Sequence, residues 1–458
     1  MKNNINRIIT SALLVLYCGF LLSAQEKTLS LTIYEAKNFA LENSTSILNA
    51  RLDVLSAKKK VWETTAIGLP QVSATASYLN TFNVPEMNFG SYIDYDAMTP
   101  GMPITPEIIK QNMRMTDPIK LGVKENITAD LLVNQLIFNG SYIVGLQASL
   151  TYKLLSEQGL EKTGLEVKEL VGNSYFLCLI IDKNLKTLNK SIVNQEKISD
   201  DIKAMFEVGF VEENDVDQMY LLLNSLEIMK SKLERQKDLT YDLLRFQLGI
   251  DLDRELVLST SLENYIDKLN FENLMENSFN TGANIDYQLI NTQEKLSLLN
   301  VKNIKADFLP TISAFYKHQE LLDEPEFNFV TPDMLGVNLS LPIFSSGQRL
   351  AKVSQAQIEL DKISNNKRDL EKTLNIAFRQ TKSQYITAFD NFGQEKKNME
   401  VSEKIYNNTL AKYKEGMAGS LDLTQAQNQY LNSRSNYYNA MYELLSAKLS
   451  LEKLLGSQ

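Results

Sequence analysis

His318 is the only histidine in 458 residues, and the chain has two cysteines, Cys18 and Cys178. Zinc sites draw on several histidines and cysteines. A serine or cysteine nucleophile needs a base beside it, most often a histidine. Neither set is present, and no glycine motif that would cradle a phosphate appears. No catalytic residue, cofactor or resident metal is therefore expected. One stretch invites a metal reading. Residues 83–118 hold Met87, Met98, Met102, Met113 and Met115 among five prolines. Thioethers suit Cu(I), but the irregular spacing favours an adaptable loop whose methionines fill gaps. Carboxylates are plentiful, and along helical segments they read as solvated faces.

The charge balance narrows the partners. Forty-seven basic and 56 acidic residues leave a net charge of -9, the wrong sign for a general nucleic-acid binder. The N-terminus carries Lys2 and Arg7, an apolar run from Ile8 to Leu22, and "LSA" before Gln25. That is the pattern of a secretory signal, residues 1–24. Cys18 as a lipid-attachment site fits poorly, because bulky Tyr17 precedes it. Cys178 sits in the apolar patch "YFLCLII" and reads as a buried small residue. No later stretch reaches 18 apolar residues, so an exported chain of this kind enters a membrane only with β-strands.

What would position such strands is visible as an internal repeat. "GLPQVSATASY" (68–78) resembles "FLPTISAFYKH" (308–318), and "LIFNGS" (136–141) resembles "PIFSSG" (342–347). "FEVGFVEENDV" (206–216) resembles "YKEGMAGSLDL" (413–423), and "LLRFQLG" (243–249) resembles "SLEKLLG" (450–456). The last three pairs keep an offset of 206 or 207 residues. The chain divides into a first repeat, 25–262, and a second, 263–458.

Each repeat runs in the same order. A helix (about 32–67, then 284–307) ends at Leu-Pro, where proline stops it and biases its neighbour to extended geometry. A strand follows, in which Val72, Ala74, Ala76 and Tyr78 alternate with Ser73, Thr75 and Ser77. The hairpins span about 71–135, with the long loop 83–118, and about 310–342. Long helices come next, about 140–206 and 346–413, then a glycine turn, then helices 213–250 and 420–456. A helix over 346–413 would be about 100 Å long at 1.5 Å per residue and needs antiparallel partners. The last helix supplies a heptad seam with one small column, Ala426, Ser433, Ala440 and Ala447. The fold class is mainly α with a small β part. Four membrane strands cannot close a barrel, which in single bacterial chains begins at about eight, so the strands must be shared among copies.

With these features in hand the chain resembles the TolC family of outer-membrane efflux proteins. The resemblance rests on the signal, the duplicated helix, Leu-Pro, hairpin, "IF" junction and long-helix plan, and the glycine turns. It implies a homotrimer with a 12-stranded β-barrel in outer-membrane lipid of a Gram-negative cell. A coiled-coil α-barrel would extend into the periplasm and dock on a periplasmic adaptor and an inner-membrane pump. The family implies a channel constriction at the helix tips, here Asp422 with Asp215 and Asp217; Gln425 stands where a second acid is often found. Acids there also suit the first turn of a helix. Gly209, Phe210, Gly416 and Met417 match the adaptor-contact tips, where glycine also simply makes the turn. The resemblance places 251–270 in a collar around the tube. Trp62 reads as helix packing. The rival reading is an exported coiled-coil stalk or adhesin, which would not account for two hairpins at matched positions.

Overall fold

The structure is a computed structural model that describes residues 28–87, 90–101, 103–116, 118–268, 278–322, 328 and 331–456. The signal stretch 1–24 with Cys18, Met102 of the loop, and residues 269 and 270 of the collar stretch lie outside the described residues. The chain is mainly helical with a small β part. Its elements run β1 (Leu29–Leu31), α1 (Ile33–Asn43), α2 (Thr45–Ile67) and β2 (Gln71–Asn80). Then come β3 (Glu86–Met87), β4 (Ser91–Ile93), α3 (Pro106–Gln111), β5 (Met113–Met115), β6 (Ile119–Lys120) and β7 (Glu125–Asn139). They continue with α4 (Gly140–Glu207), α5 (Glu213–Leu248), β8 (Leu256–Leu258) and α6 (Leu262–Asp267). The second half holds α7 (Ile285–Ala306), β9 (Thr311–Leu321), β10 (Asp333–Ser340), α8 (Gln348–Lys414) and α9 (Ser420–Leu455). Among the described residues no helix is long and apolar enough to cross a membrane.

The chain forms two compact units, and each draws on both halves of the sequence. The division at 262/263 follows the repeat; compaction does not, because antiparallel elements from the two halves pair with each other.

The sheet unit comprises Lys58–Tyr152 and Lys295–Asp361. Its four antiparallel strands lie in the order β10-β9-β7-β2. The register sorts the side chains onto two faces. One face carries Val72, Ala74, Ala76 and Tyr78 of β2, Leu131 and Val133 of β7, Ala314 and Tyr316 of β9, and Leu335, Val337 and Leu339 of β10. The other is mainly polar: Ser73, Thr75 and Ser77, then Thr128, Asp130 and Asn134, then Ser313, Lys317 and Gln319, then Asn338 and Ser340, with Leu132, Phe315 and Met334 among them. The polar face is tied by Ser77 to Thr128 (2.6 Å) and by Lys317 to Asp130 (3.2 Å). Phe315 lies over Gly336, where a Cβ would stand 2.6 Å from the ring. Both helix-to-strand junctions close alike. Leu69 N–H donates to Ala66 O and Leu309 N–H to Ala306 O, each at 3.0 Å, just before the proline. Each fills a helix-end carbonyl that proline could not serve.

The loop 83–118 is not irregular. Within it β4 pairs with β5 and Arg114 holds Asp94 at 3.0 Å, and β3 pairs with β6 just past its end. Ribbons of two or three residues are too short to show alternation, so no period marks them in the sequence.

The helical unit comprises the described parts of Met1–Ala57, Lys153–Glu294 and Lys362–Gln458. Its main core packs Ile33, Ala36 and Ala40 of α1 on Tyr175 and Phe176 of α4, Leu244 and Leu248 of α5, and Leu445 and Leu449 of α9. Each large side chain buried there contributes about 1.5–3 kcal/mol. Cys178 is buried in the same core. β1 pairs in parallel with β8. Tyr175 OH donates to Leu31 O at 2.8 Å and accepts from Thr260 N–H at 3.2 Å, pinning this ribbon to α4.

The single helix expected over 32–67 is broken. Ser44 is buried and extended, and separates α1 from α2. At the break Ser44 Oγ accepts from Ile47 N–H at 3.4 Å, and Gly249, which ends α5 with φ 73°, packs so close that a Cβ there would be 2.3 Å from Asn43 O. Gly249→Ala should therefore destabilise the helical unit by about 2 kcal/mol or more, from backbone strain plus a clash that no flexible side chain can relieve. Thermal unfolding of the variant, against the open-sided Gly145→Ala as control, reads this directly.

Lys37 of α1 is half buried, and burial lowers its pKa from 10.5 to about 8; Glu452 opposes the shift, and Lys448 and Lys168 reinforce it. The unfolded chain holds that proton until about pH 10.5, so between pH 8 and 10.5 it binds a proton the folded chain has lost. Stability should rise with pH across this window. Lys37→Met should unfold at a higher temperature than wild type at pH 7 and should lose the rise above pH 8. Melting curves at pH 7, 8, 9 and 10 test both.

Candidate functional site: helix tips and sheet faces

The two helix tips in the helical unit repeat one geometry. α4 ends at Gly209 (φ 78°) and α8 at Gly416 (φ 71°), both left-handed. Gly209 N–H donates to Phe206 O and Phe210 N–H to Met205 O, both at 2.9 Å. Gly416 N–H donates to Tyr413 O (3.0 Å) and Met417 N–H to Lys412 O (2.8 Å). This paired closure of a helix end requires positive φ, which glycine adopts without strain. The residue after each glycine is thrown outward: Phe210 is 79 % exposed and Met417 70 %. Val208 and Leu421 stand equally open beside them. The sequence reading overlooked these two, although apolar residues flanking a tip glycine were the available signal.

The next helix starts three to four residues later, and here the acids act locally. Asp215 accepts from Glu212 N–H at 3.2 Å, and Asp422 accepts from Gly419 N–H at 3.1 Å. Each carboxylate satisfies a donor that the first turn leaves orphaned. Asp217 makes no such bond and stands exposed. The tips are joined: Ser420 Oγ donates to Gln218 Oε1 at 3.2 Å, and Ile198, Ile202, Met219 and Leu423 form a small core beneath them. Tyr413 belongs to this core. Burial, and then the Asp215 charge, push its hydroxyl up to about 12. Asp215 thus faces the other tip as well as capping its own. Gln425 is part of α9 beyond the cap.

Deeper in the unit lies a polar layer that the heptad pattern did not reveal. Arg434 of α9, 3 % exposed, donates to Ser191 Oγ of α4 at 3.2 Å and stacks 5.4 Å from the Tyr430 ring. Tyr430 and Tyr406 stack 5.6 Å apart. Gln195 and Gln427 are buried, and their side-chain oxygens have no partner among the described residues.

In the sheet unit, His318 falls where the apolar face gives way to charge. Its Nδ1 lies 2.8 Å from Asp333 and its Nε2 3.3 Å from Glu320, and Tyr316 OH donates to Asp333 at 2.6 Å. No group of three or more histidine, cysteine or acidic side chains arranged to hold a metal occurs among the described residues. The apolar face is open. Val72, Tyr78, Leu335, Val337 and Leu339 are all exposed, by 61–82 %. The outer edges of β2 and β10 have no partner strand among the described residues.

Residues 279–457 match the family described as outer membrane efflux protein. No curated protein matches the chain by sequence. Its fold resembles the CmeC outer membrane channel of Campylobacter jejuni, with TM-score 0.71 and 17% identity over 93% of this chain and 85% of that one. It resembles VceC, an outer membrane protein of Vibrio cholerae, with TM-score 0.68 and 16% identity over 93% and 96%. It also resembles the open state of the MtrE outer membrane channel of Neisseria gonorrhoeae, with TM-score 0.70 and 14% identity over 93% and 90%.

Proposed function

We propose that this chain, whose residues 279–457 match the family described as outer membrane efflux protein, is the outer-membrane exit duct of a tripartite efflux or type I secretion system. It works as a homotrimer, receiving small molecules or proteins from a periplasmic adaptor and an inner-membrane pump.

One observation carries the reading: a four-stranded sheet with an apolar face, a polar face and two unpaired edges. In lipid an open edge leaves backbone donors and acceptors unsatisfied, at a cost of several kcal/mol each. Neither edge lies against the other in a sheet of four. Pairing β10 of one copy with β2 of the next is a head-to-tail contact, which closes into a ring when the rotation between copies completes a full turn. Three copies give 12 strands, with the apolar face toward lipid and Asp130, Lys317 and Gln319 toward the lumen. The helix tips are then the entrance, and their exposed Phe210 and Met417 are the surface the adaptor meets. A coiled-coil stalk would have no use for a sheet of this polarity.

Mass measurement of the detergent-extracted protein should give three copies, and planar bilayers should show discrete pores. A monodisperse single chain that stays in solution without detergent would refute the proposal.

A further inference from the structure

His318, the single histidine of the chain, closes the end of the β9–β10 hairpin that lies away from the helices. β9 begins just after α7 and β10 leads on to α8, while His318 and Asp333 pair at the opposite end. Asp333 is the first residue of β10, an edge strand. Both nitrogens of the ring are engaged. Nδ1 lies 2.8 Å from Asp333 Oδ1, and Nε2 lies 3.3 Å from Glu320 Oε2. Tyr316 OH donates to the same Asp333 oxygen at 2.6 Å. A neutral imidazole has one N–H, so it serves one carboxylate and turns a lone pair toward the other. The imidazolium donates to both.

Among the described residues no second cation pairs with Glu320 or Asp333. On the far side β7 sets Leu131 opposite His318 and Ala129 opposite Glu320, and neither titrates. Lys317 belongs to the other face and pairs with Asp130 at 3.2 Å. The stretch 322–332 carries Asp323, Glu324 and Glu326 and neither lysine nor arginine, so it supplies no rival cation.

We propose that His318 is a pH-responsive clasp: its imidazolium ties β9 to the first residue of β10, and loss of that proton loosens the strand through which one copy meets the next. The seam between copies rests on the reading above, in which β10 pairs with β2 of a neighbour; the clasp lies within one hairpin and stands without it. The clasp is complete between the carboxylate range near pH 4 and the ordinary histidine titration near pH 6.5. It slackens as pH rises through the titration of the folded ring. Glu320 then loses its donor, and the bond to Asp333 loses the charge that made it the stronger kind. The three side chains are 40–70 % exposed, and exposed ion pairs are individually weak. A ring of three copies, however, carries three clasps that titrate together. An acidic exterior would firm the outer end of the seam, and an alkaline one would relax it.

The test uses the full-length protein in detergent, purified without a histidine tag, so that one labelled ring reports by NMR. Asp333→Asn and Glu320→Gln should each release the ring proton at a pH lower than wild type by about 0.5 or more. The half-life of the trimer in dodecyl sulfate at fixed temperature should shorten at least about threefold between pH 5.5 and 8.5. His318→Gln, whose side chain is neutral throughout, should show no such loss. Lys37 is common to both proteins, so the ratio of their half-lives reports the ring alone. Equal proton release in wild type and Asp333→Asn, or a half-life ratio that does not change with pH, would overturn the inference. A protein that forms no trimer at any pH would sink the reading above and the seam with it, while the ring titration still decides the clasp.

Discussion

Val337→Arg is expected to abolish stable assembly in the outer membrane. Val337 lies in β10 opposite Ala314, between Leu335 and Leu339 on the apolar face, and is 69 % exposed in the single chain. If that face meets lipid, an arginine near the bilayer midplane costs about 2–4 kcal/mol in each copy. Three copies would feel it at once, against a total domain stability of about 5–15 kcal/mol. The neighbouring substitution Asn338→Arg supplies the control. Asn338 points to the polar face with Ser313 opposite, where water would solvate the charge. Refolding into lipid vesicles under a urea titration should show a large drop in midpoint for Val337→Arg and a small change for Asn338→Arg. The reverse ranking would mean that the two faces have been assigned the wrong way round. A stalk protein would tolerate both.

The period-two alternation behind this prediction is readable before any coordinates. In β2 the serine and threonine at 73, 75 and 77 alternate with apolar residues, and the other three strands follow that division except at Leu132, Gln135, Phe315 and Met334. Long helices are equally legible, because Leu-Pro and the glycine turns bound them and the heptad seam of α9 names its buried side. Of its small column, Ala426 and Ala440 are buried while Ser433 and Ala447 are half-buried. What the sequence hides is whatever a distant contact decides. Asn43-Ser44 has no proline or glycine to mark a break, and the bend there is where Gly249, 205 positions away, packs on the backbone. Arg434 lies outside that seam, one residue after Ser433, and is buried against Ser191, 243 positions away. Trp62, expected to pack between helices, is 62 % exposed in the single chain. A heptad pattern tells which residues want cover but not which chain provides it.

The tip acids show the same limit, and a pair of substitutions separates their two roles. Asp422→Asn keeps an oxygen that can accept from Gly419 N–H, so the start of α9 stays capped while one charge is lost. Asp422→Ala removes both, and a lost cap costs about 0.5–2 kcal/mol. The same holds for Asp215 with Glu212 N–H. Asp217 makes no cap bond, so its replacement by asparagine removes charge alone. If the carboxylates ring a narrow entrance in the trimer, three copies place nine negative charges there, and such a ring concentrates cations. The triple variant Asp215→Asn, Asp217→Asn, Asp422→Asn should then keep its melting temperature within a few degrees while its preference for potassium over chloride falls severalfold. The Asp422→Ala variant should lose both. Bilayer reversal potentials in a salt gradient measure the first quantity and circular dichroism melts the second. An unchanged reversal potential in the triple variant would reduce all three acids to helix starts. Electrostatic gating would then have to be sought in the layer around Arg434, which stacks on Tyr430, itself a donor to the Glu403 carboxylate at 3.4 Å.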